Sequence, residues 1–466
     1  MKRSRSTPDG TTTGNQPKPI QLLLHASGGI VPYLTPTLLT KYFPAPQSHL
    51  LLGISVQDTC LAPHFPSPDA VQPRGYEFVS KPPLDYLKSY TTVVVPSFDL
   101  LHDANKRGQN SVQATGTGVS VWSLQGRQVL SNQAYMRLVL SATTTTTTTG
   151  SSPWQEAESS TTSIQSQLQS QPQFSLIVSL YDQAAMHQSK QRHEQARHRR
   201  QTWLQELIQD THGSSRTTTT ATTSPVWAVV SASSKNNANT NNNILVDDEL
   251  EQLLENDKVS GYAIVGCSSL ETFATGIHGG GGGSNIIIPQ LKRAESSKTV
   301  AVLSVSTMQD VLECLEQGVS IIGTDLPTKW ALSHQAFVLP LDYSSRKKLK
   351  ENYDTNTNGG SSFLMDLTDS KYAIDSSPLL EGCGCMACGQ DFYSRAYIHH
   401  LYQAKELLAQ ILLMGHNLHH MLEFCWVATQ AQQEEQKQQQ LHRQDDDQQP
   451  PAFDTFLQRC KRECGR

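Results

Sequence analysis

Short continuous apolar runs recur along this chain between long polar stretches, at 20–25, 91–96, 174–180, 226–231, 261–266, 300–303 and 319–322. They have strand length and little polar alternation, the pattern of strands buried on both faces. Between the last two, residues 308–317 predict a helix that Gly318 stops. Strand, helix and strand joined by short loops form the repeat of a parallel barrel. Residues 189–212 predict an amphipathic helix with Trp203, Leu204, Leu207 and Ile208 on its apolar face and Lys190, Arg192, Arg197, Arg199 and Arg200 on its basic one. Near the end, Ile398, Leu401, Ala404, Leu408, Ile411, Leu412, Leu418 and Leu422 recur at helical spacing. The fold class expected from these patterns is α/β with a helical C-terminal part.

The polar stretches set the domain organisation. Residues 1–19 hold almost nothing to bury and are expected to be disordered. The barrel is expected over 20–343, interrupted by low-complexity insertions at 142–172, 210–225, 233–243 and 279–285. A polar insertion at 344–362, a metal-binding subdomain over 363–426 and a glutamine-rich charged tail over 427–466 complete the division. The tail reads as a helical extension or as disorder.

At 466 residues the chain is long enough for a full α/β barrel of about 250 residues with such insertions and a small second domain. A net charge of -5 argues against a whole-surface nucleic-acid binder, so contact with RNA would need a local basic patch. No run of about 18 apolar residues occurs, and no transmembrane segment is expected. The basic start, Met1-Lys2-Arg3-Ser4-Arg5, is followed by Thr, Gly and Pro, unlike a secretory signal, and Pro8, Gly10 and Gly14 disfavour a presequence helix. Cytoplasm is the expected location.

The candidate chemistry lies in the cysteines. Cys383, Cys385 and Cys388 form a Cys-x-Cys-x2-Cys knuckle, the clustering that tetrahedral zinc asks of thiolates. The alternatives are buried reduced thiols or a disulfide, which an intracellular setting disfavours. A fourth ligand is needed, and His399, His400, His416, His419 and His420 follow. In one straight helix His416 would lie about 40 Å from Cys388 at about 1.5 Å per residue, so the segment must break, near Tyr402-Gln403, and return. Spacing alone leaves His416 one candidate among the five. Cys460 and Cys464 read as free thiols.

The knuckle, then Ser394-Arg395-Ala396-Tyr397-Ile398-His399-His400-Leu401, Glu406-Leu407-Leu408 and His416-Asn417-Leu418, resembles the zinc subdomain of the tRNA-guanine transglycosylases, with two extra residues between Cys388 and Ser394. Ile30-Val31-Pro32-Tyr33-Leu34-Thr35-Pro36, Leu326-Pro327-Thr328-Lys329 and Gln335-Ala336-Phe337 are similar to further segments of that family. The resemblance implies a (β/α)8 TIM-like barrel with an inserted or C-terminal zinc-binding helical subdomain. It also implies one structural zinc ion on Cys383, Cys385, Cys388 and His416.

Catalytic members of the family carry an Asp nucleophile where this register places Gly323, and Asp325 stands two residues further on. Their proton-transfer Asp falls at Thr115, which cannot act as a carboxylate base. Ser231, Ala232 and Ser233 replace the Gln and two Gly that hold the base. Asp182 matches a base-recognising Asp, or caps a helix after a barrel strand. Lys329 and Leu332 occupy positions of tRNA-contacting arginines, and only the first is charged. Lys329, Arg199 and Arg200 are the candidate tRNA contacts; a basic helix face is also commonly just solvated.

Ser120-Val121-Trp122-Ser123 looks most like the accessory, non-catalytic subunits of the family. By resemblance such a chain forms a heterodimer with a catalytic subunit, which exchanges guanine for queuine at the anticodon wobble position of tRNAs with GUN anticodons. Peripheral association with the mitochondrial outer membrane is a further implication. The competing readings are an active transglycosylase working alone and a zinc-stabilised barrel scaffold with other partners.

Overall fold

The computed structural model describes residues 18–44, 49–59, 85–98, 117–123, 126–140, 175–182, 189–213, 225–231, 253, 256–265, 298–339, 341, 363–389, 392–441 and 452–464. The expected insertions 142–172, 233–243, 279–285 and 344–362, most of the expected disordered start, and Thr115 lie outside the described residues.

Eight parallel strands close into a barrel: β1 (Gln21–Ala26), β2 (Leu50–Ser55), β3 (Thr91–Val95), β6 (Leu176–Val178), β7 (Val226–Ser231), β8 (Val259–Val265), β9 (Thr299–Val305) and β10 (Ile321–Thr324). β1 completes the ring by pairing with β2 on one side and β10 on the other. The strands are nearly uniformly apolar because barrel interior and outer helices cover both faces; every residue of β2 is buried. Inserted between β3 and β6 is an antiparallel hairpin, β4 (Gly118–Ser123) with β5 (Gly126–Ser131). β2 and this hairpin were not among the expected elements.

The helices with described side chains follow the apolar spacing. After α1 (Pro36–Tyr42), α2 (Val56–Thr59) and α3 (Asn132–Leu140) comes α4 (Lys190–Gly213). α4 runs through Asp210 to Gly213, so the first residues of the insertion expected at 210–225 are helical, and 214–224 lie outside the described residues. α5 (Met308–Glu316) starts at a reciprocal Thr307–Asp310 capping box. It ends at Gly318, whose φ of 67° lets the Val319 amide reach Cys314 O at 2.9 Å.

Leu326-Pro327-Thr328-Lys329, one of the segments that carry the family resemblance, is the first turn of α6 (Leu326–Leu332). Proline is tolerated there because its missing N–H has no helical acceptor to lose. Beyond it β11 (Gln335–Phe337) pairs antiparallel with β12 (Leu364–Asp366), and then come α7 (Arg395–Gln403), α8 (Leu408–Leu441) and α9 (Ala452–Cys464). α8 does not stop at Trp426 but continues as one helix about 50 Å long. α9 returns against it through Phe456 on Phe424 and reaches α5 through Lys461–Glu316 at 2.7 Å. Phe453, Phe456, Leu457 and Cys460 recur at helical spacing, and burial of that face holds the end of the tail in place. No helix among the described residues is long and apolar enough to cross a membrane.

Candidate metal centre and barrel mouth

The knuckle is a tight backbone turn around Cys385. Gly382 has φ of 74°, and the amides of Cys388 and Gly389 both donate to Cys385 O, at 3.2 and 2.9 Å. This curl turns the three sulfurs to one side. Ser394 caps α7 by accepting from the Tyr397 amide at 3.1 Å, and α7 ends where Lys405 takes the left-handed conformation with φ of 57°. α8 then returns alongside, and His416 arrives at the sulfurs.

His416 Nδ1 lies 3.8, 3.5 and 3.4 Å from the Sγ atoms of Cys383, Cys385 and Cys388. All four side chains are buried and their ligand atoms lie within 4.8 Å of one another. A tetrahedral ion with sulfur at about 2.3 Å and nitrogen at about 2.0–2.1 Å would set sulfur–nitrogen edges of about 3.6 Å, so the group fits a metal ion at its centre. His416 Nε2 donates to Phe337 O at 2.9 Å. A carbonyl can only accept, so the proton is on Nε2 and the Nδ1 lone pair faces the sulfurs.

The thiols also prepare the site for a cation. Hydrogen bonding from Cys383 and Cys385 pushes the Cys388 thiol down to about 4, and Cys385 above all pushes Cys383 down to about 6. Cys385 is pushed up by its two sulfur neighbours. Three thiols this close share protons among themselves, and a bound cation removes the conflict.

The same helix locks this group to the barrel domain. Asn417 Oδ1 accepts from the Phe337 amide at 2.8 Å, and its Nδ2 donates to Gln335 O at 3.0 Å. His420 Nε2 donates to Leu339 O at 2.7 Å. Met386 of the knuckle lies against Gly415, where a Cβ would stand 2.4 Å from its sulfur. Further along α8, Thr429 Oγ1 accepts from the amide of Ile20, just before β1.

The ends of the barrel strands hold further expected site residues, with Ala232 and Ser233 outside the described ones. Gly323 is buried in β10, at a register shift against β9, and a Cβ added there would meet Leu303 Cα and O at 2.8 Å. His25 Nε2 donates to the same Leu303 carbonyl at 3.1 Å, and its ring stacks on Phe98. Thr324 donates to Val305 O and accepts from the Leu326 amide. Asp325 pairs with Lys329 at 2.9 Å, with both side chains partly exposed, and Leu332 projects into solvent.

Asp182, beyond the end of β6, is buried and caps no helix among the described residues. It takes two bonds from Arg192, at 2.7 and 2.6 Å, and one from Arg199 at 3.0 Å, while Arg200 donates to its backbone oxygen at 2.9 Å. Arg199 and Arg200, the candidate tRNA contacts, therefore hold Asp182. Arg192 was expected only as part of a basic face. Its spacing of seven and eight residues from Arg199 and Arg200 was the available signal that all three share one side of α4.

A closed eight-stranded parallel barrel bearing a Cys3His group in its C-terminal region defines a barrel protein with a metal-binding appendage. The family model described as queuine tRNA-ribosyltransferase matches residues 100–446, about three quarters of the chain, and the chain belongs to that family. It is 40% identical over 115 residues to a queuine tRNA-ribosyltransferase accessory subunit 2 of Anopheles gambiae, covering 24% of each protein. It is 33% identical over 161 residues to the protein of that name from Gallus gallus, covering 30% of this chain and 37% of that one. To the Homo sapiens protein it is 32% identical over 142 residues, covering 26% and 34%. The matched segments thus span about a quarter to a third of these relatives.

Proposed function

We propose that this chain is the accessory, non-catalytic subunit of a heterodimeric queuine tRNA-ribosyltransferase. Its partner carries out the exchange of guanine for queuine at the wobble position of tRNAs with GUN anticodons. The observation that carries this reading is Gly323: base exchange through a covalent intermediate needs a carboxylate nucleophile, and the position that would supply it has no room for a Cβ. The nearby carboxylates are engaged, Asp182 by two arginines and Asp325 by Lys329. The names of the relatives agree with this reading.

The Cys3His group holds one zinc ion. Three thiolates and an imidazole at tetrahedral distances suit zinc, and four protein ligands close its shell, so its work is structural. Bound there, the ion supplies a crosslink between the knuckle and α8. His416 and Asn417 pass that constraint to β11, and the subdomain is thereby held as one surface for the catalytic partner. Lys329, half-exposed, is available to tRNA in the complex at the cost of its Asp325 pair, whereas Arg199 and Arg200 are committed to Asp182. The complex is placed in the cytoplasm, with peripheral contact at the mitochondrial outer membrane as the family resemblance implies.

The test is co-purification with a tagged catalytic subunit, with zinc measured in the recovered complex. Cys385→Ala should lower metal content and heterodimer yield together. A stoichiometric complex formed by a zinc-free variant would contradict the assigned role of the ion.

A further inference from the structure

The three sulfurs of the Cys3His group differ in their supply of N–H donors. Cys385 Sγ accepts from the Ala387 amide at 3.3 Å. The Cys388 thiol is lowered mainly by Cys383 and Cys385 and further by the backbone amides of Leu380 and Leu379. For Cys383, the N–H donor among the described residues is a side chain: His419 Nδ1 lies 3.7 Å from its sulfur.

His419 stands three residues after His416 on α8, nearly one turn on, which brings both imidazoles to the knuckle. It does not belong to the ligand set. His416 fills the fourth corner, and His419 Nδ1 approaches one sulfur where His416 Nδ1 approaches three. Unlike the four buried ligands, His419 is only partly buried. The sulfur it faces is therefore the one whose support comes from the solvent side of the site.

Three thiolates and a neutral imidazole around a divalent ion leave one net negative charge in a buried site. N–H···S bonds spread that charge and lower the reactivity of each sulfur, and outer hydrogen-bond partners of this kind commonly change metal affinity by about 10–100-fold. Resting on the zinc reading above, we propose that His419 is a positioning residue that donates its Nδ1–H to the Cys383 thiolate and sets how slowly the ion is released.

The experiment uses the full chain with its zinc. Metal content of the wild type comes first, because a wild-type chain without bound zinc would fail the zinc reading itself and leave no site for His419 to support. Zinc transfer to a chromogenic chelator is then timed for wild type, His419→Ala and His419→Asn, and the sulfur-to-metal absorption bands are compared after cobalt replaces zinc. Asparagine offers an amide N–H near the position of Nδ1. All three should bind one ion; the alanine variant should release it about tenfold faster with its bands shifted to lower energy, and asparagine should restore both toward wild type. Equal rates and spectra in the three proteins would overturn the proposal, and so would loss of the ion from both variants, which would make His419 a ligand. If the alanine chain does not fold, His419→Phe keeps the ring volume without the donor and is expected to behave as alanine would.

Discussion

A Cβ at position 323 would stand 2.8 Å from backbone atoms of Leu303, and backbone in a barrel wall cannot swing aside as a side-chain tip can. Gly323→Ala should therefore cost about 1–3 kcal/mol, read as a lower urea midpoint. Gly323→Asp adds a carboxylate without a partner and should lose more, with no gain of base exchange. An aspartate variant as stable as wild type would mean that the strand has room for a nucleophile. Asp182 is the opposite case, a buried charge held by its neighbours. Asp182→Asn leaves Arg192 and Arg199 without their counter-charge and should cost about 3 kcal/mol in the same unfolding measurement. Nothing in the position of Asp182 announced this fork, because the arginines that hold it lie 10 to 18 residues further along the chain, on α4.

Among the elements, α8 holds the molecule together by what one helical face offers to the backbone of residues 335–339. His416, Asn417 and His420 bond to Phe337, Gln335 and Leu339, and each satisfies a buried backbone group that strand pairing leaves open. Asn417→Leu should cost about 1–3 kcal/mol by leaving the Phe337 amide and Gln335 carbonyl unpaired, yet should keep its metal; His416→Ala should lose the metal. Metal analysis alongside denaturation separates the two. His334, at φ of 55°, abuts Tyr402 and takes Gln410 as partner at the same joint. Burial pushes its imidazole below the usual range, against the opposing pull of Asp366. The folded chain thus resists the proton that the unfolded chain accepts, so this contribution is intact above about pH 6.5 and is lost as pH falls toward the folded value. His334→Asn, which tolerates the left-handed backbone, should flatten the fall of Tm on the acid side of pH 6.5. An unchanged slope would assign the acid sensitivity elsewhere.

For the whole molecule, the fold was largely legible because a barrel strand buried on both faces is a plain apolar run, as at Thr299–Val305, and because Gly318 marks the end of its helix. The three cysteines were legible by their crowding. His416 was fixed by family likeness rather than spacing, since five histidines lie between the knuckle and Trp426 and the return of α8 depends on one left-handed residue, Lys405, that no propensity requires. Asn417 stood in the motif, but its part in docking depends on a backbone amide and a carbonyl about 80 residues earlier, a distance in sequence that only the closed fold spans. Under the proposed function, Gly323 stands in the nucleophile's place, and the backbone of Leu303 leaves no room there for a side chain. The most direct measurement is incorporation of labelled guanine into tRNA by this chain alone and then with the catalytic subunit added. The account predicts no incorporation by the chain alone and activity in the mixture, with both chains recovered together. Turnover by this chain alone would contradict it and would make Asp325 the next residue to replace.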